Sequence, residues 1–179
     1  MEHQVGATHF ALSLCNYLQN KKRKRTAYIE LNPGRQIRFL SPKAAGSSFG
    51  FLGFEIYPEV TLKELPAIYG KKYDYFILDM GTLGPGLMTE FLRCQQKFVI
   101  CSVAPWRRQR IEHWMDKVQA THQLHLETVS IFGNMSKKKD LNDFEHRYHL
   151  PIQAIPFLEN PFQLTSPDIG FFEQILQRN

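Results

Sequence analysis

The 179-residue chain has no apolar run approaching the roughly 18–20 residues that a membrane-spanning helix requires, so stable membrane insertion is not expected. Its opening, "MEHQVG", lacks the basic-then-apolar order of a secretory leader. Cysteine is scarce and unpaired. Cys15, Cys94 and Cys101 stand singly in apolar stretches, without the spacing of a disulfide framework. They read as reduced core thiols, and the expected compartment is the cytoplasm. Internal repeats and low-complexity linkers are missing as well, which excludes a repeat array. Charge of one sign is not in large excess: the net charge is +5, and part of it comes from the single run "KKRKR" at residues 21–25. A nucleic-acid binder would spread such residues over a face, so nucleic acid is not the expected partner.

What remains is an ordinary globular composition, with 43% apolar and 22% charged residues. The length suits one domain spanning 1–179 around a single core. Phe10, Leu14, Tyr17 and Leu18 recur at helical spacing, so the chain opens on an amphipathic helix. "KKRKR" closes it as a solvated turn before the strand-like "TAYIEL". Residues 32–53 are rich in Gly, Pro and Ser and read as a long connection, within which "RQIRFL" fits a short helix or a strand. "FEIYPEV" is strand-like, and "TLKELPAI" opens a helix with Thr61 as cap and Glu64 at the capping-box position. "YDYFILDM", "KFVICSV", "LETVSIFGN" and "PIQAIPF" are further strands. Between and after them lie the helical "PWRRQRIEHWMDKVQATH", "DLNDFEHRYHL" and "SPDIGFFEQILQ", the last capped by Ser166 or Asp168. Short apolar strands alternating with amphipathic helices predict an α/β fold, a mostly parallel sheet with helices on both faces.

The chemistry-bearing candidate is "EHQVGAT", which runs directly into the first helix. A phosphate-binding loop reads G-x-x-x-x-G-K-[ST]: glycines admit the phosphates to backbone N–H groups, lysine offsets charge, and the hydroxyl holds magnesium. Gly6 and Thr8 fit the last positions, and Ala7 stands where the lysine belongs. Read without any relative, Gly6 permits a turn and Thr8 caps the helix. Asp79 is an acid at the carboxyl end of a strand, where ligands gather in such sheets.

Taken together, the pieces resemble the ParA/MinD family of P-loop ATPases, whose loop reads roughly K-G-G-V-G-K-T. "VGATHFALSLCNYL" follows the family's loop and first helix, and "KRTAYIELN" its second strand, which usually ends in Asp-x-Asp. "YDYFILDMG" resembles the strand carrying the magnesium-side aspartate. "FVICSVAPW", "VSIFGN" and "IQAIPFLENPF" follow in the family's order. The resemblance implies a P-loop NTPase-like fold and a cofactor of ATP with Mg2+. Nucleotide contacts would then fall on Gly6, Ala7, Thr8, His9, Asp79 and Asn134, with the metal on Thr8 and Asp79. The strand that normally feeds the loop is missing: either Met1 is a late or truncated start, which is the expectation, or the fold manages without its central strand.

The departures fall on the chemistry. Glu2 and Ala7 occupy the positions of the family's two lysines, His3 and Gln4 replace glycines, and Glu30 and Asn32 replace the acids of Asp-x-Asp. Phosphoryl transfer rests on positioning and charge stabilisation, and losing one such group typically costs about a hundred- to a thousand-fold in rate. The resemblance therefore implies a degenerate, non-hydrolysing member that acts through a protein partner or a second copy of itself, with no cofactor as one outcome. The alternative is a working ATP-dependent dimerising switch that draws its positive charge from Arg107, Arg108 or a partner chain. Two histidine pairs, His122 with His125 and His146 with His149, have i, i+3 spacing but no further ligand nearby, and read as solvated or packed. The stripe Ile111, Trp114, Met115 and Val118 reads as core, as does Ile169, Phe172, Ile175 and Leu176 on the last helix. Arg107, Arg108 and Arg110 cluster at one turn and form no extended footprint for nucleic acid.

Overall fold

The computed structural model describes residues 6–41, 48–121 and 124–177, packed as two compact units. The first comprises Ala7–Gly84 and the chain from Leu158 onward. It opens on α1 (Ala7–Asn16), which is buried at every position from Phe10 to Asn16. Its two buried polar side chains, Ser13 and Asn16, donate to the His9 and Pro161 carbonyls. The helix continues as one π-helical turn, Tyr17–Lys21, closed by the Lys22 N–H on the Tyr17 carbonyl, and residues 21–25 then run exposed.

Four strands follow: β1 (Thr26–Glu30), β2 (Phe49–Phe51), β3 (Phe54–Tyr57) and, after the short helix α2 (Leu65–Tyr69), β4 (Tyr75–Asp79). They form one sheet in the order β2-β3-β1-β4, parallel except for β2. β1 is buried at all five positions, as a central parallel strand must be. β2 and β3 are joined by Leu52 and Gly53, both at positive φ, which is the backbone a two-residue hairpin needs to match strand twist. Ala11, Leu12 and Cys15 of α1 pack with Tyr28, Ile37, Phe54 and Ile56 in one core cluster. α6 (Ser166–Gln177) closes this unit: Phe172 stacks on Tyr17 at 5.5 Å, and Phe171 and Phe172 both meet Phe10.

The second unit, Pro85–Phe157 with Gly6, contains α3 (Met88–Arg93), β5 (Lys97–Cys101), α4 (Gln109–Thr121), β6 (Val129–Gly133), α5 (Lys138–Tyr148) and β7 (Ile152–Ala154). Its three strands are all parallel in the order β5-β6-β7. The fold is thus α/β, with mostly parallel sheets flanked by helices.

Several local expectations shift. "RQIRFL" forms a 3-10 turn, Gln36–Phe39, and residues 42–47 of the long connection lie outside the described residues. Thr61 and Glu64 do bond, through the Thr61 N–H at 2.8 Å and its hydroxyl at 2.6 Å, but the α-helix starts only at Leu65, ahead of Pro66. Proline is at home in a first turn, so it sets the start. The last helix is capped by a Thr165–Asp168 pair: the Thr165 N–H and hydroxyl both donate to Asp168. Its buried stripe is Asp168, Phe171, Phe172 and Ile175, so Phe171 takes the place expected of Ile169. β2 and α3, short elements of three and six residues, are absent from the sequence reading.

Candidate functional site

The site is built where β4 ends and α1 begins. Asp79 is the last residue of β4, aligned with Glu30 on β1, and the residue is only 3% exposed. Three donors hold it. Thr8, in the first turn of α1, gives its hydroxyl to Oδ2 at 2.5 Å. Tyr28, on the buried strand β1, gives its hydroxyl to the same oxygen at 2.7 Å. The Gly81 N–H donates to Oδ1 at 3.0 Å. All three are neutral, and among the described residues no lysine or arginine forms an ion pair with Asp79.

The surrounding titrations follow from burial. Tyr28 is pushed well above the usual phenol value, first by desolvation and then by the Asp79 charge beside it. Cys15 is raised for the same two reasons in the same order. Both groups therefore stay neutral. Glu30 is raised chiefly by burial, partly opposed by the N–H groups of Ile37 (3.2 Å) and Glu59 (3.1 Å) that it accepts.

The other expected site residues are placed as follows. Ala7 is the first residue of α1 and half-buried. His9, one residue past Thr8, is shifted below the usual imidazole value by burial, with a backbone hydrogen bond at Leu158 acting the other way. Its Nε2 is buried and meets no partner among the described residues. Gly6 adopts φ +88, and a Cβ there would lie 2.6 Å from Nδ2 of Asn134. Gly6 and Asn134 thus form a close contact that only glycine permits. Asn134 follows β6 directly; its N–H bonds the Cys101 carbonyl at 2.8 Å, and its Oδ1 accepts the Met135 N–H. Glu2, His3 and Gln4 lie outside the described residues, as does His122.

The residues standing for the family's two acids do other work. Glu30 ties the 3-10 turn and the segment after β3 to the end of β1 through the two N–H groups it accepts. Asn32 accepts the Gly34 N–H at 2.9 Å as a local turn, and its side chain packs over Gly81, which has φ +57. Tyr28 is the site residue that sequence reasoning missed. Its one signal was a polar-tipped aromatic inside an otherwise apolar central strand, a residue that normally finds a partner when buried.

The Thr8–Asp79 pair is compatible with a magnesium ligand set. A hydroxyl that donates its proton to a carboxylate keeps its oxygen lone pairs for a cation, and Mg2+ favours one or two such groups plus phosphate oxygens. No group of three or more His, Cys, Asp or Glu side chains that could hold a metal by themselves occurs among the described residues. No described helix is long and apolar enough to cross a membrane.

No protein-family model matches the chain, and no curated protein matches it by sequence. Solved structures match it in fold. A cobyrinic acid a,c-diamide synthase from Mycobacterium smegmatis, bound to an ATP analogue and magnesium, superposes with TM-score 0.73 at 15% identity, covering 99% of this chain and 91% of its own. A plasmid partition protein from Borrelia burgdorferi gives TM-score 0.65 at 14% identity over 99% and 93% of the two chains. A nucleotide-binding protein from Archaeoglobus fulgidus, in complex with ADP, gives 0.52 at 15% identity over 96% and 84%. The chain has the fold of the ParA/MinD-type P-loop NTPases.

Proposed function

We propose that this protein is a ParA/MinD-like P-loop protein that does not hydrolyse nucleotide and works as a cytoplasmic positioning or regulatory module, through a protein partner or a second copy of itself. One observation carries the reading: the side chains at the two acid positions are spent on the fold, Asn32 accepting the Gly34 N–H and Glu30 those of Ile37 and Glu59. Ala7 precedes Thr8 where the family has lysine, and Asn32, at an acid's position, is committed to a turn. Among the described residues, no lysine or arginine pairs with Asp79 to supply the charge stabilisation that phosphoryl transfer needs. The whole of 1–179 then acts as one P-loop NTPase-like domain.

The second reading is an ATP-dependent switch. It is favoured by the Thr8–Asp79 hydrogen bond, which brings together the hydroxyl and carboxylate that would hold Mg2+, and by fold relatives solved with ADP or an ATP analogue. On that reading Gly6, Ala7, Thr8 and His9 meet the phosphates, Asn134 meets the base, and the metal would offset phosphate charge. Isothermal titration with Mg-ATP separates the two. The first reading expects no saturable heat at millimolar nucleotide from folded protein. Saturable binding that is weakened in both Thr8→Ala and Asp79→Ala would replace it with the switch.

A further inference from the structure

We draw no further inference here: the strongest candidate, the exposed basic run at residues 21–25 leading into β1, already has Lys22 paired with Glu173 at 3.2 Å and Arg25 with Asp74 at 3.8 Å, and nothing in the structure shows what its remaining charges would meet.

Discussion

Tyr28→Phe tests the candidate site most directly, because it removes one hydroxyl and changes little else. Tyr28 is fully buried on the central strand, so phenylalanine fills the same space and leaves no cavity. The variant loses the 2.7 Å hydrogen bond to Asp79, whose carboxylate then keeps only Thr8 and the Gly81 N–H. A hydrogen bond to a charged group is worth about 1.5–3 kcal/mol net. For a chain of this size each kcal/mol moves the melting point by about 2–4 °C, so a fall of about 3–12 °C is expected. Urea denaturation should show the same loss as a lower midpoint at unchanged slope. An unchanged midpoint would refute the reasoning, since a buried carboxylate cannot give up one of three donors without consequence.

The same variant discriminates between the functional readings. Tyr28 and Thr8 donate to one oxygen of Asp79, so Tyr28 competes with any cation for that oxygen. If Thr8 and Asp79 hold Mg2+, removing the competitor should enlarge the magnesium-dependent rise in melting temperature relative to the parent. If the site is purely structural, millimolar Mg2+ should move neither protein.

Three further outcomes follow from named contacts. Gly6→Ala must place a Cβ 2.6 Å from the Asn134 amide at φ +88, costing about 2–4 kcal/mol in denaturant unfolding; adding Asn134→Ala should recover only the part due to the clash. His9 has its imidazole value lowered by burial, so below the ordinary value of about 6.5 the unfolded chain takes up a proton that the folded chain resists. Stability should therefore decline as pH falls from about 6.5 towards the folded value, and His9→Gln should flatten that decline; a flat profile in the parent would count against the burial account. Phe172→Ala removes the ring that stacks on Tyr17 and meets Phe10, and should lower stability by about 3–5 kcal/mol in urea titration; an unchanged midpoint would count against that ring cluster as core.

The alternation of strands and helices was legible because each long element carries its own period. α1, α4 and α6 repeat apolar residues at helical spacing, and β1 and β4 carry short apolar runs, fully buried in β1 and partly buried in the sheet-edge strand β4. Short elements gave no such signal. β2 exists because Leu52 and Gly53 turn the chain back onto β3, and three residues cannot display a period. Caps were half-legible: Thr61 with Glu64 was a readable pair, but Pro66 decides where the α-helix starts.

The candidate site divides the same way, and the division bears on function. Thr8 and Asp79 could be paired from their motif positions, 71 residues apart, and the structure bonds them. Tyr28 could not, because its role depends on register: it lies beside Ile77, two residues short of Asp79, and only the length of a tyrosine side chain closes the distance. Nor could spacing show what the substituted acids do. Glu30 and Asn32 read in the sequence only as departures from a resemblance, yet each is an acceptor for backbone N–H groups of the segment it begins or anchors. The hydroxyl on Asp79, the carboxylate of Glu30 and the amide of Asn32 all face inward, to donors and acceptors of this chain. Ala7→Lys would therefore add one charge to a site whose described polar groups already bond within the fold.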